Sequence, residues 1–181
     1  MSPGTALLAI DVQQGAFDGV RMPPLVDGDA LLDTLDQLIE HARRAGAMVV
    51  FVQDDGRVGG AFEPGTAHWA LHDRLDGEGL VVRKARPSAF EGTGLADRLR
   101  AMGVERVVVC GLHSEGCVTA TATHALASGF AVTLVADAHG TADAASAARI
   151  IAETNARLAA LGARVVPVDR VARSGRGPTY S

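Results

Sequence analysis

The sequence predicts an α/β protein with a mainly parallel sheet and helices on both faces of that sheet. Short apolar runs rich in β-branched residues alternate with longer segments in which apolar residues recur every three or four positions, a pattern typical of βαβ units. The 181 residues suffice for one such domain, and 48% apolar and 21% charged residues are ordinary values for a globular protein. We therefore expect residues 1–181 to form a single domain, with a flexible tail over residues 171–181.

The individual elements follow from length and period. Six runs have the length and composition of strands: residues 6–12, 48–53, 80–84, 106–110, 131–136 and 164–168. Four segments have a helical period: residues 29–44, 95–102, 118–127 and 144–161. A glycine follows each of these four segments, as is common where a helix ends. Residues 15–28 and 54–79 escape the alternation, and irregular segments of this length are often lids or pocket walls.

The charge pattern and the first residues exclude several classes of protein. Seventeen basic and 21 acidic side chains give a formal charge of -4 without a basic run, so we expect no nucleic-acid partner. Every apolar stretch is shorter than the ~20 residues that cross a bilayer, so we expect no membrane association. The first residues lack a basic region and a cleavage site. We therefore expect a cytoplasmic protein in which Cys110 and Cys117 are free thiols.

Three reactive side chains follow predicted strands. Asp11 lies in the last part of the first strand, Lys84 ends the third, and Cys117 comes shortly after the fourth. Because parallel strands end at one edge of the sheet, and ligands bind there in open α/β folds, we expect these side chains to converge. A carboxylate, an ammonium and a thiol together provide a base, a cation and a nucleophile.

The turn that contains Cys117 favours a reactive thiol. Gly111 and Gly116 suit a tight turn between the fourth strand and the next helix, so Cys117 falls in the first turn of that helix. The free N–H groups and the positive end of a helix favour negative charge there. We expect Cys117 to ionise readily, whereas Cys110, inside an apolar run, is interpreted as a core residue.

Three motifs in this order resemble those of the isochorismatase-like cysteine hydrolases, the superfamily of nicotinamidases, carbamoylsarcosine amidases and ureidoacrylate amidases. The motifs are LAIDVQ at residues 8–13, VRKARPSAF at residues 82–90 and GLHSEGCV at residues 111–118. The resemblance implies a Rossmann-like three-layer α/β/α sandwich with strand order 3-2-1-4-5-6. It also implies a homo-oligomer, a dimer or tetramer.

The resemblance further implies residue roles. Asp11 would be the general base, Lys84 the cation that stabilises the thiolate, and Cys117 the nucleophile. A non-proline cis bond between Leu112 and His113 would direct the backbone N–H groups of His113 and Cys117 into an oxyanion hole. The implied reaction is hydrolysis of a small amide, carbamoyl or ureido substrate through a thioester.

Neither a metal nor an organic cofactor is expected. Nicotinamidases carry an Asp-x-His metal motif after the second strand, whereas Asp54 and Asp55 here have no nearby histidine. The spacing of Gly111 and Gly116 also lacks the three-glycine dinucleotide fingerprint. Two rival functions stay open, a vinyl-ether hydrolase of the isochorismatase type and a catalytically silent binding module.

Three aromatic residues are candidates for substrate binding. Phe17 and Phe90 lie just beyond the strand-end motifs and are interpreted as pocket walls. Trp69 lies in the long irregular segment and has two interpretations, a cap on the core or an aromatic wall for a planar substrate. His113 is expected to act through its backbone.

Overall fold

The protein is described from a computed structural model that covers residues 1–2, 4–75 and 78–173. Six parallel strands form one sheet in the order β3-β2-β1-β4-β5-β6, which confirms the predicted fold class and strand order. The strands are β1 (Thr5–Ile10), β2 (Met48–Asp54), β3 (Leu80–Lys84), β4 (Arg106–Leu112), β5 (Ala131–Gly140) and β6 (Arg164–Val166).

Helices cover both faces of the sheet. They are α1 (Gly28–Arg44), α2 (Leu95–Ala101), α3 (Thr119–Ala127), α4 (Ala147–Ala160) and α5 (Val168–Arg173). Side chains of α1 and α5 pack on one face, and side chains of α2, α3 and α4 pack on the other. All six residues of β1 are buried, as expected for a central strand covered on both sides. Within the described residues, no helix is both long enough and apolar enough to span a membrane.

The structure differs from the predicted elements near the carboxyl edge. β5 continues to Gly140, four residues beyond the predicted end, and its pairing with β4 shifts register between Val109 and Gly111. A bulge of this kind redirects the strand, so its last residues no longer follow the simple apolar pattern. Helix α5 was not predicted, because six residues after Pro167 are too few to show a helical period. Residues 171–173 of the predicted tail belong to α5, and residues 174–181 lie outside the described residues.

Candidate active site

Asp11, Lys84 and Cys117 meet at the carboxyl edge of the sheet. The Nζ atom of Lys84 lies 2.9 Å from Oδ2 of Asp11 and 3.4 Å from Sγ of Cys117. The side chains of Asp11 and Lys84 are 2% and 0% exposed, whereas Cys117 is only partly buried. The base, cation and thiol expected from the sequence therefore form one contiguous cluster, of which the thiol is the part nearest to solvent.

Asp11 has an unusual backbone conformation. Its φ is 52°, in the left-handed region that residues other than glycine rarely adopt. Its N–H donates to the carbonyl oxygen of Val52 at 2.9 Å, and its own carbonyl accepts from the N–H of Gln13 at 2.9 Å. Such a conformation persists only where the surroundings fix it, and it is typical of functional sites.

The turn before α3 sets the position of Cys117. The Leu112–His113 peptide bond is cis, as the resemblance implied. Residues Ser114–Val118 then form a turn that is kinked at Gly116, whose φ of -105° and ψ of -107° are not helical, and the N–H groups of Gly116 and Val118 both donate to the carbonyl oxygen of His113. Cys117 therefore lies at the start of a helix, as predicted. That the N–H groups of His113 and Cys117 bind an oxyanion stays a prediction.

Lys84 also contacts a second carboxylate that the sequence analysis did not include in the site. Its Nζ lies 2.7 Å from Oδ1 of Asp54, whose side chain is 24% exposed. Asp54 is the last residue of β2 and is paired in register with Lys84 of β3. Register neighbours point to the same face of a sheet, which explains the contact.

Burial dominates the electrostatics of the cluster. It raises the pKa of Asp11 from 3.8 to about 6, although the ammonium of Lys84 opposes the shift. Burial alone would lower the pKa of Lys84, but the negative charge of Asp11 and the contacts with Cys117 and Asp54 raise it above its ordinary value. Lys84 therefore stays charged at neutral pH, and Asp11 can gain or lose a proton near neutrality.

The thiol of Cys117 differs from the sequence-based expectation of ready ionisation. Burial, together with the carboxylate of Asp11, raises the pKa of Cys117 to about 12, although Lys84 opposes this. The helix start and the ammonium are outweighed by desolvation and by a nearby negative charge. At neutral pH Cys117 therefore carries a thiol rather than a thiolate.

Gln13 ties the loops around the site together and was not identified as a site residue. Its buried amide donates to the carbonyl oxygens of Asp54 and Trp69, and its Oε1 accepts from the N–H of Asp54. The available signal in the sequence was a glutamine shortly after the apolar run of β1, because an amide that is buried there needs several partners.

A second group of polar side chains links the catalytic turn to α4. The hydroxyl of Ser114 lies 2.8 Å from Nδ1 of His139, and Nε2 of His139 lies 3.0 Å from Oδ1 of Asn155. Nδ2 of Asn155 donates to the carbonyl oxygen of Ala136. Because Oδ1 of Asn155 can only accept, His139 carries its proton on Nε2 and Ser114 donates to Nδ1. These hydrogen bonds fix Ser114, the residue that follows His113.

The three predicted substrate-binding aromatics are differently placed. Phe90 is 6% exposed and packs against Phe130 within the core. Phe17 is partly buried and its ring meets that of His72 edge to face. The indole of Trp69 donates to Asp55, and the guanidinium of Arg83 lies over its ring at 4.8 Å. Their contact with a substrate stays a prediction.

Asp54 and Asp55, at the end of β2, do not fit a metal centre. Asp54 is engaged by Lys84, and Asp55 is engaged by Arg83 and Trp69. Among residues 1–2, 4–75 and 78–173, no group of three histidine, cysteine, aspartate or glutamate side chains is arranged to hold a metal ion. The carboxylates that could have been ligands are used instead to neutralise basic side chains.

The fold is an α/β fold with a parallel sheet, and the polar cluster lies at the carboxyl edge of that sheet, where ligands bind in such folds. Residues 5–166 match the model of the isochorismatase domain, and the chain belongs to the isochorismatase family.

Comparison with known proteins gives the following relatives. The chain is 42% identical over 143 residues to a streptothricin hydrolase of Streptomyces noursei, a match that covers 78% of this chain and 56% of the relative. A second streptothricin hydrolase of that organism is matched over 50% of its length, so the chain spans about half the length of these relatives. An isochorismatase-like hydrolase from Alkaliphilus metalliredigens superposes with a TM-score of 0.83 at 26% identity, over 95% of this chain and 99% of that one. The pyrazinamidase of Pyrococcus horikoshii, solved in complex with zinc, superposes with a TM-score of 0.79 at 27% identity, over 91% and 99%.

Proposed function

We propose that the protein is a cysteine-dependent hydrolase that cleaves a carbon–nitrogen bond of a small amide, carbamoyl or ureido compound. The observation that carries this proposal is the contact of one ammonium with both a buried carboxylate and a thiol, Lys84 with Asp11 and Cys117. A nucleophile with an adjacent base is the arrangement that covalent acyl transfer requires. The similarity to streptothricin hydrolase supports the proposal and makes streptothricin the first compound to test.

In the first half of the reaction, Asp11 removes the thiol proton while Sγ of Cys117 bonds to the carbonyl carbon. Oδ2 of Asp11 accepts from Lys84, and Oδ1 is buried with no hydrogen-bond partner among the described residues, so Oδ1 is the oxygen able to take the proton. The carbonyl π electrons move to oxygen, where the N–H groups of His113 and Cys117 donate to the oxyanion. The intermediate then collapses, the carbon–nitrogen bond breaks, and Asp11 gives the proton to the leaving nitrogen.

In the second half, water hydrolyses the thioester. Asp11, again ionised, takes a proton from water as the oxygen attacks the acyl carbon. The carbon–sulfur bond breaks, the thiol of Cys117 is restored with the proton from Asp11, and the acid leaves. A carboxyl with a pKa of about 6 can both accept and donate a proton near neutral pH, as this sequence of steps requires.

The test is turnover together with trapping of the acyl enzyme. Purified protein is assayed for release of amine or ammonia from streptothricin and from a panel of small amides and ureides. Intact mass spectrometry after rapid acid quench is expected to show the acyl mass on Cys117. Cys117→Ala is expected to lower kcat by more than about 10³-fold, since removal of the covalent nucleophile costs about 10⁶-fold in a serine hydrolase.

Cys110 provides the matched control, because it is a buried thiol of β4 outside the cluster. Cys110→Ala is expected to keep turnover within about threefold, since it removes only a core sulfur. Largely retained turnover in Cys117→Ala would refute the covalent mechanism. Absence of turnover and of any acyl adduct across the panel would favour the silent binding module.

A further inference from the structure

Lys84 is shared between two carboxylates, and only one of them has a role in the reaction proposed above. Its Nζ lies 2.7 Å from Oδ1 of Asp54 and 2.9 Å from Oδ2 of Asp11. Lys84 and Asp11 are sealed from solvent, whereas Asp54 reaches it. A charge on Asp54 therefore costs less desolvation than a charge on Asp11.

The charge count of the cluster shows what a second carboxylate does. With Asp11 ionised and Cys117 a thiol, the two carboxylates and one ammonium carry a net charge of about -1. Transfer of the proton from the thiol to Asp11 leaves the total unchanged, because a thiolate replaces the carboxylate. Throughout this transfer Asp54 keeps a negative charge against Lys84, so the ammonium is never paired with the thiolate alone.

We propose that Asp54 is a positioning residue: it is the second counter-ion of Lys84, holds the ammonium between Asp11 and Cys117, and places a second negative charge on the ammonium that Asp11 also binds. The proposal rests on the function proposed above in so far as Asp11 is the base that takes the thiol proton. Lys84, Asp54 and Cys117 are the titratable groups that act on Asp11, from β3, β2 and the turn before α3. Of these, Asp54 disfavours the ionised form of Asp11 through like-charge repulsion.

Asp55 offers a control at the next position. Its carboxylate binds the guanidinium of Arg83 and the indole of Trp69. Asp55 meets Lys84 only through the backbone, where its N–H donates to the carbonyl oxygen of Lys84 at 2.7 Å, and among the described interactions its carboxylate does not contact the ammonium. Asp54→Asn and Asp55→Asn each remove one negative charge, from adjacent positions at the end of β2. Only Asp54→Asn removes a carboxylate that contacts the ammonium of Lys84.

Asp54→Asn is expected to fold. The structural bonds of Asp54 to Gln13 are made by its backbone N–H and carbonyl, which the substitution leaves in place. The asparagine has the shape of aspartate, and its amide oxygen can still accept from Nζ of Lys84. Asp54→Glu restores the charge and serves as the rescue variant.

The experiment measures the rate at which iodoacetamide alkylates Cys117 between pH 4.5 and 8.5, by peptide mass spectrometry. Above the pKa of Asp11, the state with protonated Asp11 and a thiolate has a constant population, so the rate is level. Below that pKa the population falls about tenfold per pH unit. The inflection therefore reports the pKa of Asp11 without a substrate.

Wild type and Asp55→Asn are expected to share one inflection near pH 6, because the pKa of Asp11 is raised to about 6. Asp54→Asn is expected to move it down by about one pH unit, and Asp54→Glu to restore it. An inflection in Asp54→Asn that coincides with that of Asp55→Asn would overturn the proposal. A shifted inflection without turnover of any substrate would reject the proposed function alone, and turnover that needs Cys117 with an unmoved inflection would reject the role of Asp54 alone.

Discussion

Gly111 lies where β4 pairs with β1, shortly before the two proposed catalytic residues, Asp11 after β1 and Cys117 after β4. It is in register with Ile10, one residue before Asp11, and it precedes the cis peptide at Leu112. Its φ is 109°, and a Cβ atom there would lie 2.6 Å from the backbone nitrogen of Ile10. Only glycine therefore allows β4 to approach β1 at the start of the catalytic turn.

Gly111→Ala is expected to destabilise the protein by roughly 3 kcal/mol or more, because it combines an unfavourable φ with a backbone clash. The control is Gly129→Ala, at a position with φ of 85° where a Cβ atom would meet nothing within 4 Å. We expect this control to cost only about 1 kcal/mol, from the backbone conformation alone. Urea unfolding measures both free energies, and an equal loss in the two variants would contradict the account of Gly111.

At the scale of elements, α4 supports the turn that contains Cys117 through His139 and Ser114. Asn155→Leu is expected to leave Nε2–H of His139 and the carbonyl of Ala136 without partners, at a cost of about 1 to 3 kcal/mol. Since Ser114 follows His113, the turn should loosen and kcat should fall while KM changes little. Urea unfolding and steady-state kinetics on a substrate found in the panel measure the two effects.

The control for α4 is Arg149→Ala, which removes an exposed ion pair with Glu153 on the same helix. Such pairs contribute about 0.2 to 0.5 kcal/mol, so stability and kcat should stay near the wild-type values. If Asn155→Leu matched Arg149→Ala in both measurements, α4 would have no part in holding the turn.

The sequence predicted those elements and residues whose signal is local. The six strands could be found from apolar runs, and Asp11 and Lys84 from their place in or at the end of such runs. Asp54 could not be assigned, because its role depends on the register between β2 and β3. His139 and Asn155 meet only because β5 extends past its bulge to reach α4. The raised pKa of Cys117 depends on burial, which the sequence does not give.

At the scale of the whole molecule, the site is one small polar region between two apolar layers. Side chains of α1 pack below the sheet and those of α2 and α3 above it, so charges at the carboxyl edge are removed from water. The same burial that raises the pKa of Asp11 also disfavours the charged form of buried histidines elsewhere in the molecule.

The homo-oligomer expected from the family resemblance stays a prediction.

Stability is expected to decrease as the pH falls from 7.5 to 5.5. Burial is the main reason why four histidines have a pKa below 6.5 in the folded protein: His41, His72, His113 and His139. The unfolded chain therefore binds protons below about pH 6.5 that the folded protein does not bind. As a result, the free energy of unfolding decreases as the pH decreases. Urea titrations at pH 7.5, 6.5 and 5.5 measure this slope. A flat or opposite slope would contradict this prediction. The His139→Gln variant should show a smaller slope than wild type.

Asp11 contributes to the pH dependence with the opposite sign. Its folded pKa of about 6 lies above its ordinary value of 3.8, so at pH 7.5 the folded protein holds a carboxylate that burial disfavours. As the pH falls through 6, the folded protein binds this proton before the unfolded chain does, and the cost of the buried charge is removed. Asp11→Asn, which lacks that charge, is therefore expected to be more stable than wild type at pH 7.5, by up to about 3 kcal/mol. The advantage should shrink as the pH falls from 6 to 4. A variant less stable than wild type at pH 7.5 would instead indicate that the ion pair with Lys84 outweighs the cost of burying the carboxylate.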